Sequence, residues 1–140
     1  MGNILIFKTA SDVVMKRLFE ELRVEKSKKI CLIQSSLLST FQVNYPDVLF
    51  VDSKREGFYG IEDVVMRPLK EMEFEKIYIP TTGVRANNFG NIIELCKGLF
   101  FRELVFYNCN GEHSVIKKKN HFSEILIKMY INFVEILHKK

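Results

Sequence analysis

The sequence has no tryptophan, and its three cysteines, Cys31, Cys96 and Cys109, are widely spaced. An odd number with no CxxC pair and no Cys/His ligand spacing suggests neither a disulfide framework nor a zinc site, so no metal is expected. Cys31 lies inside an apolar run, which fits a reduced core thiol, and a cytoplasmic location is the expectation. No stretch of about eighteen uncharged apolar residues occurs, so no transmembrane segment is expected. The start, MGNILIFK, lacks the basic region of a signal peptide, and Ile6 stands where myristoylation needs Ser or Thr. No GxGxxG follows the first apolar run, and neither GxxxxGK[ST] nor GxSxG appears. Dinucleotide, P-loop and nucleophile-elbow chemistry are therefore disfavoured, and no cofactor is expected.

What is present describes one globular domain spanning 1–140, with 47% hydrophobic and 27% charged residues. A chain this long hides roughly two-thirds of its unfolded surface. Twelve phenylalanines and many isoleucines supply the interior. The net charge of +4 is local, with much of the excess in Lys117–Lys119 and Lys139–Lys140, so it implies no nucleic-acid partner.

Short apolar runs alternate with helical patterns along the chain. Asn3–Phe7, Lys29–Gln34, Val48–Val51, Lys76–Pro80 and Glu103–Tyr107 read as buried strands. Helices are expected from Ser11 or Asp12, either of which can cap, to about Arg23. Others are expected from Ser35–Ser36 to about Val43, from Ile61 to about Met72, and from about Asn87 to Gly98. Pro68 predicts a kink or break in the third. Asn110–Gly111 is a hairpin signal, with Ser114–Lys117 returning as a short antiparallel edge strand. The alternation implies right-handed βαβ units and a three-layer, Rossmann-like α/β domain. About five parallel strands in the order 3-2-1-4-5 are expected, with the flavodoxin-like order 2-1-3-4-5 as the alternative.

Phe122–Leu137 reads as a C-terminal helix with apolar residues on nearly all sides. It either packs deeply on its own domain or serves as a homodimer interface, a dock for a partner subunit, or a membrane-surface element.

Ligands of open parallel sheets bind at the carboxyl ends of the strands, where the strand order reverses. In the order 3-2-1-4-5 that point lies between strands one and four. It brings Lys8, Thr9, Ser11 and Asp12 towards Thr81, Thr82, Gly83, Arg85 and Asn87. Hydroxyls, a glycine, a cation and a helix start make an anion pocket. The bland reading is that Thr81, Thr82 and Asn87 cap a helix and that Arg85 is solvated. Cys109 and His113 could form a nucleophile pair, although a turn cysteine with no third group is more often incidental. Phe58 and Tyr59 could stack on a sugar or base, but such residues more often fold onto the core.

At ILIFKTASDVVMKRLFEELR the chain resembles the start of glycosyltransferase family 9 (heptosyltransferase-like) GT-B enzymes. Those begin with an apolar strand ending in a basic residue, then a small-residue loop and Gly-Asp-Val. YPDVLFVDS, from Tyr45 to Ser53, is similar to the family's Tyr-Pro segment. The resemblance implies a catalytic base at Asp12. It departs where Ser11 replaces glycine, where Lys8 replaces arginine, and in a shorter loop. It covers about the first fifty residues and no second Rossmann domain. A half of this kind is expected to bind a sugar or phosphate-bearing ligand. The alternative is a non-catalytic interaction module working through Phe122–Leu137, and whether the chain is an enzyme stays open.

Overall fold

A computed structural model describes residues 2–56, 58, 60–83 and 90–117. Six strands form one sheet: β1 (Asn3–Phe7), β2 (Lys28–Ile33), β3 (Leu49–Asp52), β4 (Glu73–Pro80), β5 (Phe100–Tyr107) and β6 (His113–Lys117). Among the described residues four α-helices accompany them: α1 (Asp12–Glu21), α2 (Leu38–Asn44), α3 (Asp63–Lys70) and α4 (Gly90–Lys97). The sheet order is β3-β2-β1-β4-β5-β6. All neighbours are parallel except β6, which runs antiparallel to β5. The expected order and the edge strand are therefore present, and the flavodoxin-like order is not.

Both faces of the sheet are covered, which is why its central strands read as unbroken apolar runs and not as alternation. Ile4, Ile6, Cys31, Ile33, Tyr78 and Tyr107 point to one face, where Val14, Met15 and Leu18 of α1 and Phe41 of α2 pack. Leu5, Phe7, Leu32, Ile77, Ile79 and Leu104 point to the other, against Val65 and Leu69 of α3 and Ile92 and Cys96 of α4. Burial alternates along the edge strand β6: Ile116 packs on the core while Lys117 is exposed.

Several boundaries differ from the sequence reading. Parallel pairing carries β4 and β5 back to Glu73 and Phe100, beyond their apolar cores. A register shift between Asn3 and Ile4 skips Glu75, so that Asn3 pairs with Phe74 and Ile4 with Lys76. Pro68 does not break α3, which continues to Lys70. Val65, Met66 and Leu69 bury one side of that helix, and Asp63 bonds Arg67 at 2.8 Å and Lys70 at 3.3 Å. Those contacts offset the hydrogen bond that proline cannot donate. Ser35–Leu37 forms a 3-10 turn before α2, and Leu22–Val24 another after α1. The expected helix at Phe122–Leu137 lies outside the described residues, as do Arg85, Asn87 and Tyr59.

Candidate functional site at the carboxyl ends of β1 and β4

The strand order reverses between β1 and β4, so the loops that leave these two strands face one crevice. Four hydrogen bonds shape it. The Thr9 hydroxyl donates to the Pro80 carbonyl, tying the end of β1 to the end of β4. The Ser11 N–H donates to Thr82 Oγ1 at 2.8 Å. The Thr81 hydroxyl donates to the Gly83 carbonyl at 2.8 Å, and the Thr81 N–H donates to the Tyr107 carbonyl at 2.7 Å. Lys8, Thr9, Ser11 and Asp12 are thus gathered with Thr81, Thr82 and Gly83, as the topology required.

These residues are not equally available to a ligand. Thr81 is only 3% exposed, and both its N–H and its hydroxyl are used within the fold. Lys8 is 8% exposed. Its ammonium donates to the Ala10 carbonyl, lies 3.3 Å from Asp12 Oδ1, and sits 5.7 Å from the centre of the Phe41 ring. Lys8 therefore braces the loop after β1 from the α1 side. Thr82 and Gly83 remain exposed, and the Asp12 side chain is 75% exposed.

The start of α1 is the polar feature of the crevice. Ser11 occupies the cap position with extended backbone, but its side chain makes no capping bond. A first turn normally leaves several N–H groups without intrahelical partners, and these carry the positive end of the helix dipole. Ser11 therefore corrects the sequence reading: it has the cap's position without the cap's hydrogen bond.

At the end of β2, Gln34 donates to the Lys8 carbonyl at 3.1 Å, while its buried Oε1 has no hydrogen-bond partner. At the end of β3, Asp52 accepts from the Ser35 hydroxyl at 2.5 Å and from the Lys54 N–H at 2.8 Å. The Ser35 hydroxyl and then the Lys54 N–H hold its carboxyl below the usual carboxylate range. Lys54 adopts φ 61°, an uncommon conformation for a side chain larger than glycine. No local motif marks this cluster, since Ser35 and Asp52 are seventeen positions apart in the chain.

The Cys109–His113 pairing does not form. His113 Nε2 lies 3.1 Å from Glu21 Oε2, and its ring packs edge-on against Tyr107 at 5.1 Å. Cys109 Sγ is 3.9 Å from Asn110 Oδ1, and Arg17 donates to the Cys109 carbonyl at 2.9 Å. Strand pairing directs His113 along β6 to a position opposite Tyr107, which puts its ring against α1. Phe58 folds onto the core, 6% exposed, with its ring edge-on to Phe7 and the two ring centres 5.6 Å apart. Burial raises the Cys31 thiol strongly and the Cys96 thiol to about 12, so both are core groups and not nucleophiles.

Among the described residues no cluster of three or more His, Cys, Asp or Glu is arranged to hold a metal, and no helix is long and apolar enough to cross a membrane. Cavities among the described residues lie away from the crevice. One of about 590 Å³ sits at the amino ends of β1, β4 and β5, and one of about 420 Å³ lies beside α1. No protein family, curated protein or solved structure matches the chain.

Proposed function

We propose that this domain binds a sugar or phosphate-bearing small molecule in the crevice between the ends of β1 and β4. We also propose that it is related to the amino-terminal half of family 9 GT-B glycosyltransferases. The observation that carries the binding reading is the uncapped first turn of α1 at the point where the strand order reverses. Free N–H groups and the helix dipole favour an anion there. The exposed Thr82 hydroxyl and the Gly83 backbone stand beside it. The kinship rests on the strand–Lys8–loop–Asp12 sequence and on Tyr45–Ser53. In that reading Asp12, exposed at the helix start, is the group that would accept a proton from a sugar hydroxyl.

The test is a thermal-shift titration with inorganic phosphate, glucose 1-phosphate and UDP-glucose, on the wild type and on Ser11→Asp. An aspartate at the cap position supplies the missing side-chain acceptor and repels an anion. The variant without ligand should therefore gain about 1 kcal/mol of stability while losing its response to ligand. In the wild type, a ligand at about 100 times its Kd should add roughly 2.7 kcal/mol. No shift with any of the three compounds, or an equal shift in Ser11→Asp, would remove the reading.

A further inference from the structure

The cavity of about 420 Å³ lies on the outer side of α1, between that helix and the turn joining α2 to β3. Its inner wall is aromatic. The rings of Phe19 and Tyr45 are 4.6 Å apart and inclined at 49°, and Phe41 backs Tyr45 at 5.7 Å. Phe19 is 4% exposed and Tyr45 is half-buried, so neighbours hold both rings in place. Burial, and then the charges of Asp12 and Glu20, raise the Tyr45 phenol above its ordinary value, so it stays a neutral donor at physiological pH.

The rim is cationic. Lys16 projects from α1, Arg23 from the 3-10 turn that follows it, and Lys29 from β2. Both Lys16 and Arg23 line the groove. Neither makes an ion pair among the described residues. Lys29 donates to the Glu25 and Ser27 carbonyls at 2.7 and 3.3 Å, which fixes its ammonium at the edge. Glu20 and Asp47 also line the cavity, so three cations and two carboxylates leave a formal charge of +1.

We propose that this groove is a second small-molecule site, separate from the strand-end crevice, which takes a ring-bearing monoanion such as an arylalkyl carboxylate. The ring lies against Tyr45 and Phe19 and the carboxylate between Lys16 and Arg23. A single negative charge neutralises the lining, whereas a dianion also meets Glu20 and Asp47. The cavity falls within the range of about 300–1,000 Å³ usual for small-molecule sites. A fixed aromatic wall gives contact area without ordering further side chains.

A titration of the full chain by ¹H–¹⁵N NMR tests this with three probes. 3-Phenylpropionate carries ring and charge, acetate carries charge alone, and benzyl alcohol carries the ring alone. Saturable shifts with 3-phenylpropionate are expected at Lys16–Arg23 and Asn44–Val48, with binding about tenfold tighter than either control. The double variant Lys16→Ala/Arg23→Ala should weaken that binding about tenfold. Both residues are exposed, so the variant's spectrum should otherwise match the wild type; if it does not, Arg23→Gln is read by the same criterion. Shifts that do not saturate, that map elsewhere, that acetate reproduces with equal affinity, or that survive the variant would overturn the assignment. Shifts confined to Ser11 and Thr82 would report the other site and likewise overturn this one.

Discussion

Replacing Phe58 by alanine should destabilise the domain by about 3 kcal/mol. Phe58 lies in the long connection between β3 and α3, yet it is only 6% exposed and meets Phe7 edge-on at 5.6 Å and 86°. Burying a phenylalanine removes about 150–250 Å² from water, which at about 25 cal/mol per Å² amounts to about 4–6 kcal/mol. That figure is an upper bound, because the unfolded chain already buries part of this area. The edge-to-face pair adds about 0.5–1.5 kcal/mol, and alanine keeps one carbon of the side chain. A connecting segment also relaxes into a gap more readily than a strand does, which places the value at the low end of the range for such deletions. Urea unfolding followed by circular dichroism reads the loss directly, and the melting temperature should fall by about 10 °C. Phe58→Leu, which keeps most of the volume, should lose about 1 kcal/mol. Trypsin separates global from local effects. If alanine frees only this connection, cleavage after Lys54 and Arg55 accelerates while the unfolding midpoint stays in place. A loss below about 1 kcal/mol with unchanged cleavage would refute the view that Phe58 anchors the connection to the core.

Asp52→Asn should flatten the acid limb of the stability curve. The native carboxyl lies below its unfolded value, so its contribution is present above the unfolded pKa and is lost as pH falls through the native one; midpoints compared between pH 7 and pH 3 check this, and an unchanged acid limb contradicts it. Lys54→Gly should stabilise by up to about 1 kcal/mol, since glycine adopts φ 61° without steric conflict, whereas Lys54→Val should destabilise by about the same amount or more; equal midpoints for the two variants in urea would count against strain at this position. Thr82→Val removes the acceptor of the Ser11 N–H and should cost about 0.5–1 kcal/mol, with amide exchange accelerated at Ser11 and unchanged in β2.

The order of elements and the sheet class were legible from the sequence because apolar periodicity is a local property of the chain. Runs such as Leu5–Phe7 and Ile77–Ile79 are apolar without alternation because both faces of the sheet are covered. A chain that alternates such runs with helical patterns has few topologies open to it. Phe58 was legible for the same reason, as a large apolar side chain with a core nearby. What the polar residues do was not legible, since their partners lie far away in sequence. Thr9 meets Pro80 and Ser11 meets Thr82, each across about seventy positions. Lys8 read as a ligand contact, yet its ammonium turns towards Ala10, Asp12 and Phe41. Ser11 read as a cap, but its side chain does not cap α1. Cys109 and His113 are four residues apart, and strand pairing sends the histidine to Glu21. The groove beside α1 joins residues of α1, β2 and the turn before β3, and no local pattern announces such a meeting. The sequence by itself determined which segments are buried and hence the layered sheet. Only the tertiary structure decided which hydroxyls, amides and charges are used inside the fold and which remain exposed. Burial follows from each segment's own composition, whereas hydrogen bonding depends on which distant segment arrives beside it.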